Sequence, residues 1–324
     1  MRFIIYGAGA VGGVIGGRLF QAGHDVTLIA RGEHLRALQE RGLTLAAPAE
    51  TVTLAIPAVA TPAEAKPVAG DAVVLAMKGQ HTEAALEGLR QAAPEGVAVV
   101  CAQNGVENER KALRAFPDVY GVSVMLPATH LEPGVVLCHS AGLSGLLDLG
   151  RYPSGVDATA TALAEALSGA NFSSVARDDI MRWKYRKLLL NLGNAVEAVC
   201  GGEARRGPLY GRVMEEGAAV LTAAGIDPVS GDEDRERRGE LLRMKPIEGV
   251  RREGGSSWQS LARGQGSIEA DYLNGEIVLL GRLHGVPAPA NELFQRLAVQ
   301  FAAEGRPPGS LSVDEVLALL DGDG

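Results

Sequence analysis

An apolar run of strand length at the start of the chain leads directly into a glycine-rich turn and then into helix-forming residues. The run is Phe3–Tyr6, and apolar and small residues continue after the turn. A G-x-G-x-x-G motif in this strand–turn–helix setting predicts a Rossmann βαβ unit. The residues of the motif are Gly7, Ala8, Gly9, Ala10, Val11 and Gly12.

Each glycine of this turn has a separate expected role in binding a dinucleotide. Gly7 permits the tight turn, Gly9 lets the backbone approach a pyrophosphate, and Gly12 allows the helix to pack closely on the strand. The pyrophosphate would lie against the unpaired N–H groups at the start of the helix. The alternative is a glycine-rich bend with no ligand.

The end of the next strand indicates which dinucleotide binds. Asp25–Ile29 has the β-branched and apolar content of a strand. NAD sites commonly place an acidic residue near that strand end, whereas this chain has Ala30 and Arg31. A guanidinium can hold a 2′-phosphate, so Arg31 favours NADP. Glu33 is a competing acid but is expected in the first helical turn, and Arg31 could also be an ordinary surface arginine.

Composition limits the other classes of function. The chain has 324 residues and a net charge of −8, which argues against non-specific nucleic-acid binding. No apolar run reaches membrane-spanning length. Cys101, Cys138 and Cys200 are widely spaced, so we expect small buried side chains, a cytoplasmic protein and no metal site.

The alternation of strand and helix patterns predicts a doubly wound, mostly parallel α/β sheet over residues 1–170. Residues 171–324 are predicted to form an all-helical domain. Short edge strands and loops are expected over 47–70, a mobile loop over Gly249–Gly255 and a frayed end over Asp321–Gly324. Strands are expected near 71–76, 96–100, 119–125, 134–139 and 144–149, and helices near 80–92, 178–200, 208–224, 234–243, 258–263, 268–284 and 289–303.

Chemistry is expected between the two halves, and a polar stripe on the helix near 178–200 marks it. Lys187, Asn191 and Asn194 fall within about 60° of one another on a helix whose remaining surface is largely leucine. Buried amide and ammonium groups need partners, and a substrate would supply them. The alternative is an ordinary amphipathic helix. Lys184 is the competing lysine, but it lacks an asparagine at the position four residues after it, where Asn191 follows Lys187.

A second polar segment contains serines and an acid that also suit structural roles. Ser256 or Ser257 could cap the helix containing Trp258, and Ser267 could cap the helix beginning near Glu269. Glu269 in a first turn would also favour the helix dipole. Taken alone, these residues would be interpreted as structural.

Taken together, these elements resemble the ketopantoate reductase family (2-dehydropantoate 2-reductase), within the 6-phosphogluconate-dehydrogenase-like group. The resemblance covers nearly the whole chain. Its most specific parts are Gln103–Gly105, the Lys187-to-Asn191 spacing, and Ser257 with the Glu269 segment. The matching elements are Gly7–Gly13, Ala30–Arg31, Lys78, Gln103–Gly105, Lys187 with Asn191, Ser257 and Glu269–Gly275.

The resemblance implies a role for each matching residue. Arg31 and Lys78 would hold the 2′-phosphate and adenosine end of NADPH, and Asn104 would touch the nicotinamide ribose and the substrate. Lys187 would be the general acid, Asn191 and Ser257 would bind substrate, and Glu269 would hydrogen-bond near the reacting centre or the cofactor.

Two departures from the family pattern bear on the substrate. The family's second helix asparagine lies where this chain has Ala195, and Asn194 is expected to replace it. The acid that commonly follows the glutamine after the serine is absent in Gln259-Ser260-Leu261.

The resemblance implies NADPH-dependent reduction of 2-dehydropantoate by a homodimer. We expect neither a nucleic acid nor a membrane as a binding partner. A paralogous reductase of another small 2-oxo acid, and an inactive NADP(H)-sensing protein, remain alternatives.

Overall fold

The computed structural model describes residues 1–130, 132–247, 254–264 and 266–322. The chain forms two compact units. The first contains Met1–Lys184 and Ser230–Arg252, and the second contains Tyr185–Val229 and Glu253–Gly324. This division differs from the predicted boundary at residue 170, because the first unit also includes the start of a long helix and a later segment.

The strands alternate with helices through most of the first unit. Their bounds are β1 (Phe3–Tyr6), β2 (Val26–Ile29), β3 (Leu43–Ala47), β4 (Glu50–Leu54), β5 (Ala58–Val59), β6 (Ala72–Leu75), β7 (Ala98–Cys101), β8 (Val119–Met125), β9 (Ala128–Thr129), β10 (Val135–Cys138), β11 (Ser140–Ala141), β12 (Gly145–Arg151), β13 (Phe172–Ser173) and β14 (Arg243–Met244). Among the described residues, eight of these form the main sheet in the order β13-β12-β8-β7-β6-β1-β2-β5. Within it, β8 and β12 pair antiparallel and the other neighbours pair parallel.

Helices cover both faces of this sheet. In the first unit they are α1 (Ala10–Gln21), α2 (Gly32–Arg41), α3 (Pro62–Ala65), α4 (Thr82–Ala92), α5 (Asn108–Leu113) and α6 (Ala158–Gly169). Successive side chains of β1 point to opposite faces, so Phe3 and Ile5 join one buried cluster and Ile4 and Tyr6 join another. Burial on both faces explains why these strands are continuously apolar. The predicted α/β class is confirmed.

Some predicted strands belong to a smaller second sheet. It has the order β4-β3-β10-β9, so the strand expected near 134–139 lies outside the main sheet. The segment 47–70 contains β4, β5 and the short helix α3. Strand β3 begins earlier and was not predicted.

The segment that begins at Ser230 contacts the rest of the first unit through charged side chains. It contains α9 (Gly231–Arg238), so the helix expected near 234–243 begins three residues earlier and ends five residues earlier than predicted. The helix ends because Gly239 adopts a φ of +43°, and β14 follows and pairs with β11. Arg237 donates to both carboxylate oxygens of the buried Asp148, at 2.6 and 2.8 Å.

The second unit is mostly helical. It contains most of α7 (Ile180–Cys200), followed by α8 (Pro208–Ala223), α10 (Ser256–Ala262), α11 (Asn274–His284), α12 (Pro289–Glu304) and α13 (Val313–Gly322). The single helix expected over 268–284 is instead a 3₁₀ turn, Glu269–Tyr272, and then α11, because Leu273 leaves the helical conformation. Helix α13 includes residues 321 and 322 of the expected frayed end. Residues 249–253 of the predicted loop and 323–324 of the tail lie outside the described residues.

Candidate active site

The glycine turn after β1 has the steric requirements that its motif predicts. Gly7 has a φ of +98°, and an added Cβ would lie 2.8 Å from the backbone nitrogen of Met77. An added Cβ at Gly12 would overlap the carbonyl oxygen of Gly7, whereas one at Gly9 would meet nothing within 4 Å. The open side of the turn is therefore at Gly9, where the motif expects a pyrophosphate.

Helix α1 begins with Ala10, and its N-cap, Gly9, has no side chain to accept hydrogen bonds. The first N–H groups of any helix lack intrahelical partners, and they carry the positive end of the helix dipole. Val11 is half-buried and Gly12 is buried at this end of the helix. The start of α1 can thus receive an anion.

A histidine that was not predicted as a site residue supports this turn. The carbonyl oxygen of Ala8 accepts a hydrogen bond from His34 Nε2 at 2.8 Å. The backbone N–H of Gly134 donates to His34 Nδ1 at 2.9 Å, so the ring is neutral with its proton on Nε2. Burial and the nearby His130 lower the pKa of His34. Nothing in the local sequence indicates this role, because Gly134 is distant in the chain.

The carboxyl ends of neighbouring parallel strands bring other predicted cofactor residues to the same edge. The registers of β1, β2, β6 and β7 align, and the strand order reverses between β1 and β6. Open α/β sheets bind ligands at such a switch point. The segments that follow β2, β6 and β7 contain Arg31, Lys78 and Asn104.

A group of basic side chains lies near this edge. Arg31 is the exposed N-cap residue of α2, and Lys78 is the half-buried N-cap residue of the 3₁₀ turn Gly79–His81. Partial burial lowers the pKa of His81, and the positive charges of Arg31 and Lys78 lower it further. Glu33 is exposed in the first turn of α2 and pairs with Arg36 at 3.0 Å. The structure therefore brings Arg31 and Lys78 close enough to affect a common neighbour.

The turn after β7 is held by side chains from several elements. Asn104 is half-buried, and its carbonyl oxygen accepts from Asn108 Nδ2 at 3.0 Å. The Gln103 amide donates to Met77 O at 2.9 Å and to Thr82 Oγ1 at 2.8 Å. These bonds connect the segments that contain Asn104 and Lys78.

The second unit contains the predicted polar face of α7. Asn191 and Asn194 are 5% and 6% exposed, and Lys187 is half-buried. Arg205 Nη1 donates to Asn194 Oδ1 at 3.1 Å and pairs with Glu197 at 2.9 Å. The sequence analysis missed Arg205 and Glu197, although Glu197 follows Asn194 at helical spacing on α7.

The serine segment is arranged differently from the expectation. Gly255 is the N-cap of α10, so Ser256 and Ser257 lie inside the helix, and Ile268 rather than Ser267 precedes the 3₁₀ turn. The caps predicted for these serines were wrong. Asn194 Nδ2 donates to Ser256 Oγ at 3.5 Å, while Ser257 and Glu269 are buried.

Lys184, the competing lysine of α7, is buried in the first unit. Its Nζ lies 2.6 Å from Glu109 Oε1, and the two side chains are 2% and 0% exposed. It also donates to the carbonyl oxygens of Gln103 and Val122 at 3.0 and 3.2 Å. The ammonium thus has two carbonyl hydrogen bonds and an ion-pair contact with Glu109.

The described residues also bear on the expectations about metals, thiols and membranes. No group of three metal-binding side chains occurs in the described part of the chain. Cys101 and Cys138 are buried as predicted, and burial raises the pKa of Cys200, which is half-buried, to about 11. Of the helices that the structure describes, none combines the length and apolarity of a membrane span.

Two family models match this chain in succession. "Ketopantoate reductase PanE/ApbA" matches residues 3–154, and "Ketopantoate reductase PanE/ApbA C terminal" matches residues 179–301. The chain belongs to the ketopantoate reductase family. It is therefore an oxidoreductase of a family that acts on CH–OH groups, and the sequence-based family prediction is confirmed.

Individual relatives show the same family at modest identity. The 2-dehydropantoate 2-reductase of Pyrococcus horikoshii is 30% identical over 92% of this chain and 96% of its own. A ketopantoate reductase structure from Ralstonia eutropha JMP134 has a TM-score of 0.79 and 29% identity, covering 94% of this chain and 100% of its own. D-mandelate dehydrogenase with NADH and anilino(oxo)acetate has a TM-score of 0.80 and 25% identity over 94% of this chain and 99% of its own.

Proposed function

We propose that this protein catalyses the NADPH-dependent reduction of 2-dehydropantoate to pantoate, a step toward pantothenate and coenzyme A. The observation that carries the proposal is the polar face of α7, with Lys187 half-buried and Asn191 and Asn194 buried. This face lies within the matched C-terminal family model, and relatives that cover most of the chain are 2-dehydropantoate 2-reductases. Residues 1–170 would bind NADP, and residues 171–324 would bind substrate and form a homodimer.

The first unit supplies the proposed cofactor site. The start of α1 would hold the pyrophosphate, and Arg31 and Lys78 would hold the 2′-phosphate and adenosine end. Asn104 would contact the nicotinamide ribose. The likeness to an NADH-bound D-mandelate dehydrogenase supports a nicotinamide cofactor, and Arg31 supports NADPH as the preferred form.

The second unit supplies the proposed acid and substrate groups. When bound, NADPH would supply a hydride to the substrate carbonyl carbon, and the C=O π electrons would then move to the carbonyl oxygen. Lys187 Nζ would stabilise the negative charge on that oxygen and give it a proton, leaving a hydroxyl group. An ordinary lysine, with a pKa of about 10.4, carries this proton at neutral pH. General acid catalysis is worth about 10²- to 10⁴-fold.

The amides and hydroxyl would fix the substrate relative to Lys187. Asn191, Asn194 and Ser257 are buried polar side chains, and substrate oxygens would accept their N–H and O–H donors. Glu269, also buried, would accept a hydrogen bond near the reacting centre.

A second candidate is reduction of a different small 2-oxo acid by the same steps. Ala195 is buried at the position where the family has its second helix asparagine. The neighbouring Asn194 accepts a hydrogen bond from Arg205. A guanidinium beside this face favours a substrate with an additional acceptor group.

A panel of 2-oxo acids separates these candidates. NADPH or NADH oxidation would be followed by absorbance with 2-dehydropantoate, benzoylformate and 2-oxoisovalerate. We expect the highest kcat/KM with NADPH and 2-dehydropantoate, and no turnover of that substrate would reject the first proposal. Absence of turnover with every acid, together with intact NADPH binding, would favour the sensing protein.

Lys187→Met tests the acid directly. We expect kcat to fall by about 10²- to 10⁴-fold with NADPH binding unchanged. Lys245→Met is the matched control, because Lys245 is exposed in the first unit, and it should keep full activity. Full activity of the Lys187 variant would reject the assignment.

A further inference from the structure

Lys184 and Glu109 form an ion pair that is buried in the core, where apolar side chains could take its place. Both side chains are at most 2% exposed, and Nζ lies 2.6 Å from Oε1. Burial raises the pKa of Glu109, and the Lys184 ammonium opposes that shift. Well-packed apolar residues commonly give equal or greater stability than a buried ion pair. Stability alone is therefore a weak reason for this pair.

The strand beside the pair is adapted to it. Gly121 lies in β8, and an added Cβ there would lie 3.2 Å from Lys184 Cδ and 3.3 Å from Glu109 Oε1. Glycine weakens a strand interior and often marks a close approach of other groups. The glycine leaves room for the two charged side chains.

The bonds of Lys184 continue into the segments proposed to hold the cofactor. Lys184 donates to the carbonyl oxygen of Gln103, the residue before Asn104. The Gln103 side chain bonds Met77 O, the residue before Lys78, and also Thr82. Thr82 in turn donates to Asn108 Oδ1 at 2.8 Å, and Asn108 donates to the carbonyl oxygen of Asn104.

We propose that Lys184 and Glu109 are positioning residues that fix the Gln103–Gly105 turn against the nicotinamide half of the cofactor. The inference rests on the proposed cofactor site, in which Asn104 touches the nicotinamide ribose. Gly105 ends this turn with a φ of +81°, in the left-handed region that favours glycine. At the start of the turn, the carbonyl oxygen of Gln103 is fixed by its hydrogen bond from Lys184. The pair acts on the nicotinamide end and leaves the adenosine end to Arg31 and the start of α1.

The test compares two probes that share the adenosine end. Dissociation constants for NADPH and for 2′,5′-ADP are measured on the full chain, without turnover. The variant Lys184→Met/Glu109→Met removes both charges together. We expect its thermal stability to equal or exceed that of the wild type. NADPH affinity should fall about tenfold while 2′,5′-ADP affinity stays within about twofold.

The control removes an ion pair at the opposite edge of the sheet. Arg2 and Asp71 pair at 2.6 Å just before β1 and β6, away from the turns that follow these strands. Arg2→Met/Asp71→Asn should leave the ratio of the two affinities unchanged. A change in that ratio equal to the one in the Lys184 variant would show a general loss of structure and overturn the proposal.

Each remaining outcome also decides the question. An unchanged NADPH affinity in the folded double variant overturns the proposal. If that variant does not fold, Glu109→Gln, which keeps the side-chain shape, decides by the same ratio. Failure of the wild type to reduce any 2-oxo acid rejects the proposed reaction but leaves this binding test valid. A wild type that binds neither probe overturns both the cofactor site and this inference.

Discussion

The two glycines Gly9 and Gly12 lie in one turn but should respond differently to the same added methyl group. At Gly12 a Cβ would overlap the Gly7 carbonyl oxygen and would lie 2.9 Å from both Ala76 Cβ and Ile5 Cγ2. At Gly9 a Cβ would meet nothing within 4 Å, and the φ of −72° suits any residue. Gly12→Ala therefore tests packing within the protein, and Gly9→Ala tests the space reserved for a ligand.

The geometry sets the size of each effect. Forced insertion of a methyl group into a packed site costs about 1–3 kcal/mol. For a unit of this size, Gly12→Ala should lower the Tm by about 3–10 °C. Gly9→Ala should change the unfolding free energy by less than about 1 kcal/mol, since a poorer N-cap is offset by a less flexible unfolded chain. Its NADPH affinity should nevertheless fall about tenfold, or about 1.4 kcal/mol.

Thermal unfolding of the ligand-free variants, with NADPH titration of each, separates these effects. Equal NADPH affinity of Gly9→Ala and the wild type would place the pyrophosphate elsewhere and refute the assignment of the turn. An undiminished Tm for Gly12→Ala would refute the packing argument. The reasoning also fails if Gly9→Ala loses as much stability as Gly12→Ala, because the two positions would then share one structural role.

Three further predictions concern charge and substrate choice. Arg31→Ala should lower kcat/KM with NADPH by about tenfold or more and leave the value with NADH nearly unchanged, as steady-state kinetics would show. The pKa of His34 is lowered in the folded protein, so its protonation favours unfolding and wild-type stability should fall as pH drops below the ordinary value of 6.5. His34→Gln, which can donate to Ala8 O without titrating, should reduce this pH dependence in Tm measurements from pH 5 to 8, and an unchanged slope would contradict the assignment. Arg205→Ala should change the order in which the 2-oxo acids rank by kcat/KM. An equal loss of kcat/KM for every acid would indicate instead that Arg205 only holds Asn194 in place.

The elements of the first unit were largely predictable because local pattern and burial agree there. The apolar run of β1 is buried on both faces, and β8 coincides with the predicted strand over 119–125. The assignment of Val135–Cys138 to a second sheet was not predictable, because strand pairing depends on distant residues and not on local alternation. The place of the segment after Ser230 in the first unit was not predictable for a similar reason. Its position depends on the contact of Arg237 with Asp148, which is 89 residues away in the sequence.

The individual residues of the candidate site were easier to predict than the groups that support them. Asn191 and Asn194 were proposed because a polar stripe with a helical period is visible in the sequence, and the structure buries both side chains. His34 and Arg205 have no such period, and their roles depend on Gly134, Asn194 and Glu197. The serine caps were wrong because the residue preference of an N-cap does not fix which residue leaves the helix, and Gly255 does so here.

The choice between the two lysines of α7 shows what the structure adds to the pattern. Lys184 and Lys187 lie three residues apart on the helix, and residue type alone does not distinguish a structural ammonium from a catalytic one. The asparagine spacing favoured Lys187, and the burial of Lys184 in the structure is a separate argument against Lys184 as the acid. Its ammonium is buried and bonded to Glu109, Gln103 O and Val122 O, so protonating a substrate with it would leave the Glu109 charge unpaired in the core. Two independent arguments therefore favour the same acid, and the kinetics of Lys187→Met remain the direct test of both.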